Sequence, residues 1–365
     1  MLCKGANEGQ IGGSSLSFGD RKRHIVISLF KRVCRLTGFV LLWLFLLVVT
    51  GWSVLVVCYA GIRGSPPRIA LAAVPAVCLL VLLAGVALRR SRRYALIGFL
   101  VLFGLLLGWW QTTKPSNDRP WQPEVAVLSY ASIDGDLVTV HNIRNFDYRS
   151  ETDFTPAYYD KTFDLRGLKG VDLVTSYWMG PAIAHTFVSF DFGKQGHLAI
   201  SIESRKAKGQ AYSSILGFFR NYELYYVVAD ERDVIRLRTN YRRDPPEDVY
   251  LYRVRTTAQS TRRIFLDYLK TINALKRQPE FYNTLTDNCT NSIWLHARVN
   301  PGHLPFSWKI LLSGHVPAYL YEEGRLDTRL PFDELQRRSH INEKAQAADD
   351  AIDFSQRIRA GLPQP

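Results

Sequence analysis

The sequence predicts an α+β domain held behind three membrane-spanning helices, and three observations predict it. Residues 39 to 110 are dominated by Leu, Val, Ala, Gly and aromatics and fall into apolar runs. Everything after Pro115 reads as ordinary soluble protein. Within that part, β-branched runs separated by turn signals come first and amphipathic helices follow, the order expected of α+β architecture.

Each apolar run meets the length test for a span. Crossing the hydrocarbon core takes about 20 mostly apolar residues, because a backbone group without a partner in lipid is costly. Phe39 to Ala60 has that length and no charge, and Ile69 to Leu88 repeats it with Pro75 near its start. Tyr94 to Trp110 is shorter and ends in Trp109 and Trp110, whose indoles suit the membrane–water boundary.

Basic residues then set the expected orientation, since Lys and Arg beside a span resist translocation. Arg21, Lys22, Arg23, Lys31, Arg32 and Arg35 precede the first span, and Arg89, Arg90, Arg92 and Arg93 lie between the second and third. The opposite loop offers only Arg63 and Arg68. Residues 1–36 are therefore expected as a disordered, basic cytoplasmic N-terminus. Residues 37–112 hold the three spans, and 113–123 form a Pro-rich linker. Residues 124–365 are expected as a domain on the extracytoplasmic side. No cleavable signal peptide is expected, because the first apolar run starts too late and is too long.

Charge excludes one class of function. The chain carries a formal net charge of +13. Residues 1–114 hold 14 of the 46 Lys and Arg but 2 of the 33 Asp and Glu, a balance of +12 that leaves +1 for the remainder. The basic excess belongs to the anchor, and nothing is left over to grip nucleic-acid phosphates.

In the soluble part, Val125–Tyr130 and Leu137–Ile143 flank Asp134-Gly135 and read as a hairpin. Ile183–Phe192 and His197–Ile202 flank a Gly193 to Gly196 turn and read as a second. Leu224–Ala229, Val234–Arg238 and Val249–Val254 look like further strands. Ser260–Lys276 is the clearest helix, with Ile264, Phe265, Tyr268, Leu269, Ile272 and Leu275 along one face. A second helix is expected from near Cys289 to the breaker Asn300-Pro301-Gly302.

Cysteine usage points to a site. Of the five cysteines only Cys289 lies in the extracytoplasmic domain, so no disulfide framework is expected there. A lone thiol can be a buried small hydrophobe or a nucleophile. Its neighbourhood, Thr286 to Asn291 (TDNCTN), is too polar for a core segment. Asp287 or Asn288 is a natural N-cap, which puts the sulfur in the first helical turn, where unpaired N–H groups favour the thiolate. A thiol nucleophile usually needs a base. His296 is seven residues along the same helix, roughly 10 Å at ~1.5 Å per residue, and too far. His185 is expected in mid-strand, alternating with Ile183 and Phe187, as a structural or a catalytic residue. No HExxH or paired Cys/His spacing occurs, so neither a metal nor another cofactor is expected.

Several segments together resemble one family. They are Asn142–Phe146 (NIRNF), His185–Phe190 (HTFVSF), Ser201–Arg205 (SIESR), Asp230–Asp233 (DERD) and Phe281–Cys289 (FYNTLTDNC). The family is that of the N-terminal periplasmic domain of Lnb, the lipoprotein intramolecular transacylase, and the likeness covers about residues 125 to 330. It implies a thiol enzyme with a Cys–His pair in a membrane-facing cleft, Cys289 matching the nucleophile and His185 the base. A His-bearing strand ahead of an Asn-Cys helix also resembles the permuted papain-like (NlpC-superfamily-like) enzymes, among them lecithin:retinol acyltransferase. The resemblance implies transfer of an acyl group from a lipid-linked substrate, such as a lipoprotein, through a thioester, with the lipid bilayer as a partner.

Other site residues follow with their alternatives. Glu203 orients His185 if the hairpin loop brings the two opposite each other; otherwise it is a surface charge or a partner of Arg205. The Asp230–Asp233 cluster is expected as a structural ion-pair network. Asn288, Tyr282 and Asn283, around the start of the Cys helix, are expected to shape the substrate pocket. Beside the acyltransferase stand two other readings: a thiol hydrolase of the envelope, and a non-catalytic scaffold.

Overall fold

The computed structural model describes residues 18–60, 66–87 and 92–365. The expected disorder of residues 1–17, and Arg63, Arg89 and Arg90 of the orienting loops, lie outside them. The chain divides into two units, one ending at Trp110 and the other starting at Gln111.

The first unit is helical: α1 (Phe18–Ala60), α2 (Pro66–Ala87) and α3 (Arg92–Thr112). Among the described residues two helices are long and apolar enough to cross a membrane, Leu29–Tyr59 in α1 and Arg93–Thr112 in α3. Val77–Ala87 is a shorter apolar stretch. The expected span 69–88 is thus matched by a helix whose described apolar part falls short of a crossing. The first span also starts ten residues before the expected Phe39, because Leu29, Phe30, Val33 and Leu36 extend the apolar surface between its basic residues. Arg21 to Arg35, expected as irregular, belongs to α1. Leu41, Leu44, Phe45 and Val48 face outward without protein cover. The hydroxyls of Thr50 and Ser53 return to the carbonyls of Leu46 and Val49, each at 2.7 Å, so neither is left unsatisfied.

The second unit is built on one eight-stranded sheet. Its strands are β1 (Tyr130–Asp134), β2 (Leu137–Arg144), β5 (Tyr158–Asp164), β6 (Gly170–Tyr177), β7 (Ala184–Asp191), β8 (His197–Arg205), β9 (Glu223–Ala229) and β10 (Asp248–Arg253). Two short strands, β3 (Asp147–Tyr148) and β4 (Phe154–Thr155), pair apart from it. The spatial order is β1-β2-β9-β8-β7-β6-β10, with β5 also on β2. Helix α4 (Glu231–Arg236) follows β9, and the rest come after β10: α5 (Ala258–Arg277), α6 (Cys289–Ala297), α7 (Trp308–Leu311), α8 (Val316–Glu322), α9 (Phe332–Ser339), α10 (Asn342–Ala347) and α11 (Phe354–Arg357).

The period-2 alternation of the strands feeds two cores. Val188 and Phe190 of β7 and Ile200 and Ile202 of β8 face Phe265, Tyr268 and Leu269 of α5. Phe187 and Ala199 face the other way, toward Val234 and Ile235 of α4, Ile341 and Ala345 near α10, and Phe354 of α11. The fold is α+β, as expected, with helices on both faces of the sheet.

Particular elements differ from the sequence reading. Val125 is buried in a 3₁₀ turn opened by Pro123, so the first strand starts at Tyr130 rather than Val125. Val234–Arg238, expected as a strand, is helix α4 running into a π-helical turn (Leu237–Tyr241). The reason is local: the Asp230 carboxylate caps the helix by accepting from Arg232 N. His185 is the second residue of β7 rather than in its middle, and Ile183 lies outside the strand. The segment 115–123 is docked on the domain. Asn117 donates to the Leu275 carbonyl at 3.0 Å, Arg119 pairs with Glu223 at 2.6 Å, and Trp121 is buried beneath the Arg205 guanidinium.

The Asp230–Asp233 cluster is structural, as the sequence suggested. Asp233, fully buried, takes a forked pair of bonds from Arg144, the shortest 2.6 Å, and further bonds from Phe146 N and Tyr148 Oη. Glu231 binds Arg359 at 2.6 Å and accepts from Ser189 Oγ at 2.5 Å, which ties the turn after α11 to the sheet.

Candidate active site

The site lies where two neighbouring strands separate. β7 and β8 are paired from Asp191↔His197 to Val188↔Ile200, and no pairing continues toward Ala184 although both strands go on. The register has an odd-length connection, so continuing it sets His185 opposite Glu203, the arrangement under which Glu203 orients the histidine. A ladder N–H freed by the separation needs another acceptor. The backbone N–H of Thr186, on the separated stretch of β7, acts on the Cys289 thiol and favours its ionised form.

Cys289 stands at the start of α6, as the polar TDNCTN segment implied. Asn288 is the N-cap: its Oδ1 accepts from Asn291 N at 2.8 Å, and its Nδ2 holds the Thr284 carbonyl at 3.0 Å. The backbone N–H groups of Cys289 and Thr290 act on the thiol in the same sense. These groups favour the thiolate, as expected at a helix N-terminus, but they do not win. Burial raises the thiol above its ordinary value and Glu203 adds to the rise, against the three N–H groups. The expectation of a lowered thiol pKa is corrected on this ground.

His185 is neutral at physiological pH. Burial and then the Arg238 guanidinium push it down to about 4, against the attraction of Glu203 and Glu247. For Glu203 the balance is reversed. Burial raises it, but Arg238, His185, Arg144 and Arg242 together bring it down to about 2, so the carboxylate is ionised.

This charge state fixes the histidine tautomer. An ionised carboxylate only accepts, and the Ser201 hydroxyl, 2.9 Å from Glu203 Oε1, donates its single proton to it. The same hydroxyl oxygen is 2.7 Å from His185 Nε2, which must then carry the ring proton and donate. Glu203 itself is 3.6 Å from Nε2. Carboxylate, hydroxyl and imidazole therefore form a relay, and Nδ1 is left with its lone pair, the form a general base requires.

One cavity of about 640 Å³ collects these groups: His185, Glu203, Cys289, Asn288 and Tyr282 all line it. Tyr282 is buried beneath the Cys loop, and burial raises its hydroxyl pKa. Asn283, expected in the pocket, is not part of its wall; its Oδ1 accepts from Leu285 N and Thr286 N and folds the loop. The cavity mouth is apolar where Met179 is 70 % exposed, beside Ile183, Tyr212 and Leu311.

Two residues at the site were not read from the sequence. Ser201 shares a strand face with Glu203 at i, i+2, a signal that was present. Arg238 reaches Glu203 with Nη2–Oε1 3.2 Å, and the expected strand at 234–238 hid it. His296 is engaged elsewhere, between Asp267 and Tyr226, each at 2.8 Å. Among the described residues no group of three or more His, Cys, Asp or Glu could hold a metal ion.

Comparison with known families identifies the segment carrying the site. The model described as the Lnb N-terminal periplasmic domain matches residues 154–314, from β4 to the turn after α7, and includes His185, Ser201, Glu203, Arg238 and Cys289. No curated protein and no solved structure gives a match.

Proposed function

We propose, for a chain that carries an Lnb N-terminal periplasmic domain, that it is a membrane-anchored thiol acyltransferase acting on lipid-linked substrates through a thioester. The observation that carries this reading is the relay Glu203–Ser201–His185 in one cavity with Cys289. The apolar mouth of the cavity supports an acyl substrate, since exposed apolar patches of this kind mark lipid or partner contacts. In this reading the domain is a permuted papain-like fold, with the base on a strand and the nucleophile on a later helix. Three helices anchor it in the inner membrane, with the basic N-terminus in the cytoplasm and the domain outside.

The chemistry starts from a neutral thiol and a neutral imidazole. His185 Nδ1 takes the Cys289 proton as the sulfur attacks an ester carbonyl, so that an S–C bond forms. The N–H groups of Thr186 and of the first turn of α6 receive the oxyanion. The ester C–O bond breaks, and the departing alcohol takes the proton from His185. An amine on the acceptor then attacks the thioester and loses a proton to Nδ1. The C–S bond breaks, and the sulfur recovers that proton as an amide leaves.

Reconstituted full-length protein and a diacylglyceryl lipopeptide with a free α-amine test the proposal. N-acylated product is expected from the natural sequence and none from Cys289→Ala. Free fatty acid in place of the amide would identify a thiol hydrolase, and full activity of Cys289→Ala would overturn the thiol account.

A further inference from the structure

Behind the relay runs a chain of charges that no step above uses. A serine hydroxyl rotates freely, so Ser201 can present its oxygen to Nε2 only while something fixes where its proton points. Glu203 does that, and the position of Glu203 must in turn be held. Arg238 is the group that reaches it, at 3.2 Å, with only 3 % of its side chain exposed. The π-helical turn Leu237–Tyr241 delivers the guanidinium, whose carbon lies 5.4 Å from the centre of the Phe187 ring, the neighbour of His185 on its own strand face. On the far side its Nε is 4.0 Å from Glu247 Oε2. Glu247 is itself fixed by the Ser176 hydroxyl and by Arg242 at 2.6 Å. Ser176 is the β6 residue paired with His185.

We propose that Arg238 is a positioning residue of this site: its guanidinium holds Glu203 against the Ser201 hydroxyl and so keeps the ring proton of His185 on Nε2, with Nδ1 free to act as base. The inference rests on the thiol reading. Arg238 also sets the working range of the base, because the charged groups facing His185 from each packed element are few. They are Glu203 on β8, Arg238 and Arg242 on the π-helical turn, Glu247 ahead of β10, and the Cys289 thiol on α6. Of the two cations, Arg238 depresses the imidazole more. Removing it leaves Glu203 and Glu247 to raise the imidazole, and the protonated, inactive form then persists to higher pH.

The test uses the purified full-length chain in detergent and the rate at which iodoacetamide alkylates Cys289 between about pH 4 and about pH 9. The natural sequence is expected to show a base-assisted shoulder below the thiol titration, and His185→Ala to lose it. In Arg238→Met the acid edge of that shoulder should move up by about one pH unit, and Arg238→Lys should restore most of it. Because Arg238→Met takes the guanidinium from buried Glu203, Arg238→Met with Glu247→Gln serves as the charge-balanced variant and should show a smaller displacement in the same direction, since Glu247 also raises the imidazole. An unmoved acid edge in both Met-containing variants, or equal loss in the Lys and Met variants, would assign Arg238 to structure alone and overturn the inference. A shoulder that survives His185→Ala would instead overturn the thiol reading beneath it.

Discussion

At the scale of the residue, the balance between burial and charge decides how Cys289 can react. A preformed thiolate–imidazolium pair would need a depressed thiol and an elevated histidine. Here the thiol is raised and the histidine is held near 4, so both partners rest neutral, and in the proposed chemistry the proton moves during attack. The sign of the pH dependence follows. The active form of His185 is the unprotonated one, present above its folded pKa and lost as the pH falls through it. Turnover governed by this group is expected to hold level from about pH 7 down to about pH 5 and to fall only near 4, whereas an unperturbed imidazole would fail near ~6.5. A pH–rate profile of acyl transfer checks this. Ser201→Ala should lower kcat by about 10²-fold while leaving the fold intact, because the ring loses its fixed tautomer but keeps its place. Circular dichroism alongside kinetics separates the two effects.

At the scale of the element, the boundary of α6 does most to place the nucleophile. Asn288 fixes both the start of that helix and the loop ahead of it. Asn288→Ala is expected to cost about 1 kcal/mol of stability and to weaken activity further, since the sulfur sits one residue beyond the cap. Denaturant titration gives the first quantity. This part of the site was legible, because a polar run before Ile293 and Trp294 can only be a helix start. The Gly193–Gly196 turn was also legible, but its register was not: the connection runs over 192–196, an odd length that brings His185 opposite Glu203. Arg238 was not, for a physical reason: Val234 and Ile235 are β-branched and read as a strand, whereas the Asp230 cap turns them into a helix whose continuation aims a guanidinium at the site. Strand β6 also went unread; the run from Gly170 to Tyr177 is buried at every position, and so shows no alternation.

At the scale of the whole molecule, the chain divides between Trp110 and Gln111 into two units of unlike surface. The apolar helices expose Leu and Phe outward, while the following unit closes its own cores on both faces of the sheet. The fragment 111–365 is therefore expected to fold without detergent and unfold cooperatively, which thermal denaturation would show. Its integrity depends on buried ion pairs outside the cavity wall. Asp233→Ala, which strands the Arg144 guanidinium, should destabilise that unit by about 3–5 kcal/mol. The presence of apolar runs was plain in the sequence, but not their length, since the first reaches back to Leu29 among the basic residues. The docking of residues 115–123 was not, because a Pro-rich stretch reads alike whether free or packed, and only Trp121 hinted at burial.

In the proposed chemistry Cys289, deprotonated by His185, carries the acyl group. Intact-mass measurement of the full-length chain tests it, after mixing with a diacylglyceryl lipopeptide whose amine is acetylated so that the thioester accumulates. One added acyl chain is expected, located on Cys289, released by neutral hydroxylamine and much slower to form in His185→Ala. An unmodified chain, or an acyl group on another residue, would contradict it.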